Sequence, residues 1–265
     1  MKKNISYHHN KWASQHLDRS GHKHQRSHQA AFQLCRPRLS GVRIALLASL
    51  ALSSYSMPAR AELPVILDNF GAPVRFQGDN IPGAPYNNAY GGQTLQIDQF
   101  DDRAILHWES FNVSSNNEVL FNQPRPSSIA LNRVLGNTNA ASIINGRITA
   151  NGRVYIINHD GVVFGKDSVV NTRSLVASTL DVDDDVFLNI GIENAIRQEN
   201  GQLPAFRNNP DFVRPMGEII LEKGSTISVE ENGRVMVFAP KITNEGDITA
   251  EQGQIILAAT QDEVY

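Results

Sequence analysis

Residues 144–180 read INGRITANGRVYIINHDGVVFGKDSVVNTRSLVASTL. Short runs in which apolar and polar residues alternate are separated by Asn145-Gly146, Asn151-Gly152 and Asp160-Gly161. Alternation with a period of two marks a strand with one buried face, and Asn-Gly or Asp-Gly between two such runs marks a tight turn. The stretch is a succession of short strands and corners.

Its pattern returns further along the chain. Ile148, Gly152, Val154 and Ile156 form one unit, Ile227, Gly233, Val235 and Val237 a second, and Ile248, Gly253, Ile255 and Leu257 a third. Between the second and the third, all four members shift by a nearly constant offset. A repeat of about 20 residues holding two or three short strands suits one coil of a parallel β-helix. A single coil cannot bury its own apolar face; stacked coils bury a continuous core, with backbone hydrogen bonds running between coils about 4.8 Å apart. An antiparallel sandwich also has short strands and Asn-Gly turns, but it does not require this recurring order. The expected fold is all-β: a right-handed parallel β-helix (a solenoid), with Gly and Asn at corners that need a positive φ.

Outward from the quoted stretch, Leu95, Ile97 and Gln99 alternate with Thr94, Gln96 and Asp98, and Ala104 to Trp108, Glu118 to Asn122 and Ser128 to Leu131 carry further strand signal. Trp108, Phe111 and Val113 are expected to pack in the core or cap. Residues 62–92, with several Gly and Pro, are expected to be loop with short extended pieces such as Val65-Ile66-Leu67, and the β-helix is expected to carry an N-terminal cap. Residues 181–217 break the pattern with Asp183-Asp184-Asp185, a short helix expected over Ile192 to Gln198, and a polar Pro-containing loop. They are expected to be an insertion projecting from the β-helix, its acidic run solvated. Strand resumes at Glu218 to Leu221.

The segment 1–61 belongs to a different class. Residues 1–43 are rich in His, Lys and Arg, and Ile44 to Leu52 is an apolar run too short for a membrane-spanning helix. Pro58 follows, then the small-x-small pattern Ala59-Arg60-Ala61, so a signal peptide with a long basic n-region and cleavage after Ala61 is expected. Of the chain's 24 Lys and Arg, ten lie in residues 1–61, against one of its 27 Asp and Glu; residues 62–265 therefore hold 14 against 26, a net charge of −12. That balance argues against nucleic-acid binding, which needs a basic face. The single Cys, Cys35, and six of the eight His also fall in the expected presequence, so the mature chain is left without thiol chemistry.

Little catalytic chemistry is legible. There is no Gly-x-Ser-x-Gly elbow and no His-Glu-x-x-His. Asp183 to Asp185 lack the Gly and distal Glu of an EF-hand loop. His107 and His159 are read as turn or surface residues, not haem ligands. No cofactor or metal is expected. The enzymatic alternative is a carbohydrate-active β-helix, for which Asp98, Asp101 and Asp102 are the nearest acid–base candidates.

The motifs form an ordered set. Trp108-Glu109-Ser110-Phe111-Asn112-Val113 comes first, then Asn132-Arg133-Val134, then Ile144 to Gly152. Asn158-His159-Asp160-Gly161-Val162-Val163-Phe164-Gly165, Val170-Asn171, Ala177-Ser178-Thr179-Leu180 and Asn244-Glu245-Gly246 follow. In this order they resemble the secretion domain of two-partner-secreted exoproteins, the filamentous-haemagglutinin and high-molecular-weight-adhesin group, over nearly all of residues 62–265. The resemblance implies a secretion and folding-nucleation module recognised by the periplasmic domains of an outer-membrane transporter. It also implies a secreted or cell-surface location, with haem or host-surface binding left to a longer parent protein. It places recognition or turn roles on Asn145, Gly146, Asn158, His159, Asp160, Gly161 and Val162. His159 stands where the family pattern has Pro, while Asp160 can hold a tight turn through a side-chain-to-backbone bond. The chain stops at Tyr265 on a strand-like run, Gln254 to Ala259, so it is expected to be either a fragment of a longer product or a stand-alone module.

Overall fold

The repeat seen in the sequence becomes a stack of six coils in the computed structural model, which describes residues 62–67, 81–136, 139–192 and 204–265. The expected presequence with Ala59 and Ala61 lies outside the described residues, as does the expected helix beyond Ile192. Each coil contributes one strand to each of two long sheets. The first holds Gln93–Asp98, Glu118–Asn122, Arg147–Ala150, Val169–Thr172, Thr226–Val229 and Asp247–Ala250. The second holds Arg103–Ser110, Ile129–Val134, Arg153–Asn158, Ser174–Ser178, Arg234–Ala239 and Gln254–Ala259. A shorter third sheet holds Ser142–Ile144, Val162–Phe164, Ile219–Leu221 and Ile242–Asn244. Neighbouring coils pair in parallel throughout.

The register confirms the repeat residue by residue. Ile227 pairs Ile248, Val235 pairs Ile255 and Val237 pairs Leu257. The inward columns run Leu95–Val119–Ile148–Val170–Ile227–Ile248 in the first sheet and Ala104–Ala130–Val154–Leu175–Val235–Ile255 in the second. Identical register stacks like on like and fills one continuous core without long-range crossovers. A polar residue, Asn132, is set within it. Fully buried, it accepts a hydrogen bond from Trp108 Nε1 at 3.0 Å and donates to the carbonyls of Ala130 and Tyr155. Trp108 is buried edge-on against Phe111, as core packing predicts. Val65–Ile66 pairs antiparallel with Arg103–Ser110, and Ile81–Pro82 and Tyr86–Asn87 with Gln93–Asp98, so the first coil is capped.

Two expectations need correction. The glycines that mark the repeat, Gly152, Gly233 and Gly253, do not adopt positive φ, and neither does Gly146; Gly161 does, at 109°, as does Asn232, at 62°. Glycine is needed at the other corners because coils approach closely. A Cβ on Gly146 would stand 2.3 Å from the carbonyl oxygen of Asn117 and 2.4 Å from that of Ser114.

The second correction concerns residues 181–217, whose described parts do not project. They lie along the outside of the second sheet, where Ile105, Leu131, Tyr155, Val176 and Phe238 are apolar and buried beneath Leu180, Val182, Val186, Phe187 and Phe206. The reason is the second sheet itself. Its outward column, Ile105–Leu131–Tyr155–Val176–Met236–Ile256, is apolar along its whole length, and covering it down to Met236 removes apolar surface from water.

Candidate functional site

Two corners carry the residues singled out in the sequence. At the first, the N–H groups of Asn145 and Gly146 both donate to the carbonyl of Val113 in the coil before, at 2.7 and 2.9 Å. The Gly146 carbonyl accepts from Val169 in the coil after, at 3.1 Å. The Asn145 side chain packs against Gly165, where a Cβ would fall 1.8 Å from its Oδ1. Gly146 is buried and Asn145 half-buried. This corner is a stitch between three coils.

At the second, Asn158 ends a strand of the second sheet and Val162 begins one of the third. The Gly161 N–H donates to the Asn158 carbonyl at 2.9 Å, closing a four-residue turn. The Asn158 side chain holds it from inside: Oδ1 accepts from the Asp160 N–H at 3.0 Å, and Nδ2 donates to the Ala140 carbonyl at 3.1 Å and to Ser142 Oγ at 3.0 Å. That arrangement is an Asx turn anchored across two coils, so Asp160 needs no proline before it to be held. Gly161 has both a positive φ and a close neighbour, since a Cβ would stand 2.5 Å from the Glu218 carbonyl oxygen.

The turn is not open to solvent. Asn158, His159, Gly161 and Val162 are buried, and Asp160 is half-buried. The returning limb of the insertion covers His159, Asp160 and Gly161. His159 stacks on Phe212 with ring centres 4.6 Å apart, and its Nε2 faces the Arg214 carbonyl at 2.9 Å. A carbonyl only accepts, so Nε2 carries the hydrogen. Nδ1 is buried and has no hydrogen-bond partner among the described residues. Asp160 receives a two-point pair from Arg214, Nε at 2.5 Å and Nη2 at 2.7 Å, and the hydrogen bond it supplies raises the guanidinium pKa above its ordinary value. The Gly217 N–H donates to the His159 carbonyl at 2.8 Å. His159 is thus a turn residue, as expected, but one packed under a cover and not at the surface.

Asn132-Arg133-Val134 has a role the sequence does not reveal. Arg133 is buried on the outer face of the second sheet, where its Nε meets Asp181 and its Nη1 Asp184, both at 2.8 Å, while Nη2 donates to the Val182 carbonyl. Burial opposes its charge, but Asp181 and Asp184 outweigh that and raise its pKa. His107 contacts it at 3.2 Å. Asp183 pairs with Arg207 at 3.1 Å. The acidic run is therefore solvated in part, with Asp184 and Asp185 exposed, and also anchors the insertion through Asp183 and Asp184. A signal for this is present in the sequence: Val154-Tyr155-Ile156-Ile157 and Val235-Met236-Val237-Phe238 are continuous apolar runs, the mark of strands buried on both faces.

Of the candidate acid–base carboxylates of the enzymatic alternative, those of Asp98 and Asp102 are engaged separately, and Asp101 is bonded through its main chain. Asp98 accepts from Gln96 and Asn122, Asp102 pairs with Arg125 at 3.1 Å, and the Asp101 carbonyl accepts from Gln99. Among the described residues no group of three or more His, Cys, Asp or Glu is placed to hold a metal ion.

Comparison with known proteins gives a consistent picture. The family model for the TPS secretion domain matches residues 80–265. A heme/hemopexin-binding protein of Haemophilus influenzae strain Rd is 31% identical over 189 residues, 69% of this chain and 19% of that protein. A second Haemophilus influenzae heme/hemopexin-binding protein is 39% identical over 89 residues, 34% of this chain and 9% of its own length. The chain thus spans a fifth or less of these curated relatives. Among solved structures, the secretion domain of HMW1 from Haemophilus influenzae superposes with a TM-score of 0.53 at 30% identity, covering 69% of this chain and 44% of that one.

Proposed function

The chain belongs to the TPS secretion domain family, the secretion and folding module of two-partner-secreted exoproteins, and from that premise we propose that an outer-membrane transporter engages it before its coils have closed. The observation that carries this reading is the burial of Asn158, His159, Gly161 and Val162, with His159 and Asp160 covered by Phe212 and Arg214. In the folded domain these groups are spent on holding a corner. A partner that reads them must therefore meet the chain earlier, while strand edges are unpaired and able to add to a partner's sheet. Asn145, half-buried between coils, acts at the same stage. Export to the periplasm through a presequence cut after Ala61, and release at the cell surface or into the medium, complete the reading.

Co-expression with the cognate transporter tests it. Secretion is expected to depend on the transporter and to fall when Asn145 and Asn158 are both changed to Ala. The purified double variant is refolded in parallel. Loss of secretion by a variant that refolds at the wild-type rate supports early recognition of the two side chains, and normal secretion of the double variant excludes it.

Heme or hemopexin binding is named for the two Haemophilus relatives, and within this proposal it belongs to a longer parent, outside residues 62–265.

A further inference from the structure

The described limbs of the insertion, residues 181–192 and 204–217, leave the β-helix after the fourth strand of the second sheet and return to it at Ile219. They are anchored at widely separated coils. Arg103, in the first coil, donates to the carbonyls of Phe187 and Leu188 at 2.9 and 2.6 Å. Arg133, in the second, holds Asp181 and Asp184. The 158–162 corner, in the third, holds Arg214. The remaining anchor lies beyond the sixth coil: Phe206–Arg207 pairs antiparallel with Glu263–Val264, the Ala205 N–H donates to the Val264 carbonyl at 2.7 Å, and the Asn208 N–H to the Asp262 carbonyl at 3.1 Å. Arg207 is bonded on its other side to Asp181, reciprocally and at 2.8 Å both ways, so this latch joins the two limbs to each other as well.

We propose that these limbs form a strap that closes last, and that its closure ends the accessibility of the 158–162 corner. The strap precedes the fifth and sixth coils in the chain, but one of its anchors follows both. It is complete only when Gln254–Ala259 has stacked and placed Glu263–Val264 beside Phe206–Arg207. Until then the cover over the outer column from Ile105 to Met236 and over the corner lacks its last anchor. A two-stranded pair this short is marginal by itself, so the latch depends on the coil that presents it. Closure replaces whatever holds the corner with Phe212, Arg214 and Gly217, and does so only in a chain whose coils are built. The inference rests on the secretion reading for the importance of the corner, but the order of closure stands on the geometry alone.

Pulse-labelled amide exchange during refolding of the full chain tests the order without any transporter, so its outcome is independent of the secretion reading. The strap amides of Asp181, Arg207 and Gly217 are expected to gain protection with or after those of Gln254–Ala259, and later than those of Arg153–Asn158. Protection of the strap before Gln254–Ala259 overturns the proposal. In Val264→Asp, strap amides are expected to exchange at least tenfold faster in the native state while those of Arg153–Asn158 keep their wild-type rates; unchanged strap exchange overturns it. A second variant guards against misfolding of the first. Arg207 and Glu263 are direct cross-strand partners, so Arg207→Cys with Glu263→Cys, in a Cys35→Ser background, places two thiols where a disulfide can form. Oxidation is expected to slow strap exchange at least tenfold relative to the same protein reduced. Equal rates in the two forms overturn the latch.

Discussion

Asp160 and Arg214 meet through two parallel hydrogen bonds, and in doing so join a corner of the third coil to a segment 54 residues further along the chain. The aspartate also caps its own turn through its backbone N–H. One residue therefore serves both the local turn and its cover. The two roles separate on substitution. Asp160→Asn keeps a side chain suited to the turn but loses the charge, and Arg214→Ala removes the partner alone. Each is expected to lower unfolding free energy by about 1.5–3 kcal/mol in urea titrations, the range for hydrogen bonds to charged groups. The double variant should lose no more than the larger single effect, because the pair is shared.

Arg133 is the most exacting ion pair in the domain. Arg133→Ala leaves the Asp181 carboxylate, largely buried, without its cation, and a loss of about 3–5 kcal/mol is expected. Arg133→Lys should recover only part of it, since an ammonium cannot span Asp181, Asp184 and the Val182 carbonyl in the plane that a guanidinium offers. Chemical denaturation measures both; equal stability of the Lys variant and wild type would show that the fork geometry is unimportant.

Glycine positions divide by cause. Gly161→Ala meets both backbone strain and the Glu218 carbonyl, and the strain alone is expected to cost about 1–3 kcal/mol. Gly146→Ala has no positive φ but clashes with two backbone oxygens and with Val113 Cγ1, and about 1–3 kcal/mol is expected. Gly83 has no positive φ, and a Cβ there would lie 3.5 Å from its nearest neighbour. Gly83→Ala should therefore gain about 0.4–1 kcal/mol, by restricting the unfolded chain. Thermal melting of the three variants should rank them in that order.

Asn132 stands in a column otherwise filled by Leu106, Ile156, Ala177, Val237 and Leu257. Asn132→Leu would restore the apolar pattern but strip the Trp108 indole N–H of its acceptor, and a cost of about 1–3 kcal/mol is expected. Within residues 62–265 Trp108 is the sole tryptophan, so in a chain of those residues a change in emission reports the lost bond directly.

How far the sequence reveals this structure depends on how each strand is buried. Strands with one wet face, such as Thr226–Val229 and Asp247–Ala250, announce both themselves and their partners, because the alternation and the constant offset are the same fact seen along and across the coils. The fourth coil is hidden. Arg173 occupies the corner that Gly152 and Gly233 hold in the neighbouring coils, and the insertion then separates Ser178 from Ile219. The insertion reads as projecting because its apolar residues, among them Val182, Val186, Phe187 and Phe206, follow no period; they match a surface, not a repeat. The 158–162 corner is legible as a turn, but a turn sequence carries no sign of what will lie on top of it. Phe212 and Arg214 are too distant in the chain for any local pattern to bring them there.

The strap has a mechanical consequence. In a stack where each coil touches only its neighbours, tension applied at one end peels strands away singly, and the stack fails by unzipping. A tie that grips Arg103 in the first coil and Glu263–Val264 past the sixth loads all the coils together. Pulled from Tyr265, the domain must first break that tie, and only afterwards can it unravel coil by coil. The strap thus turns a zipper into a bolt.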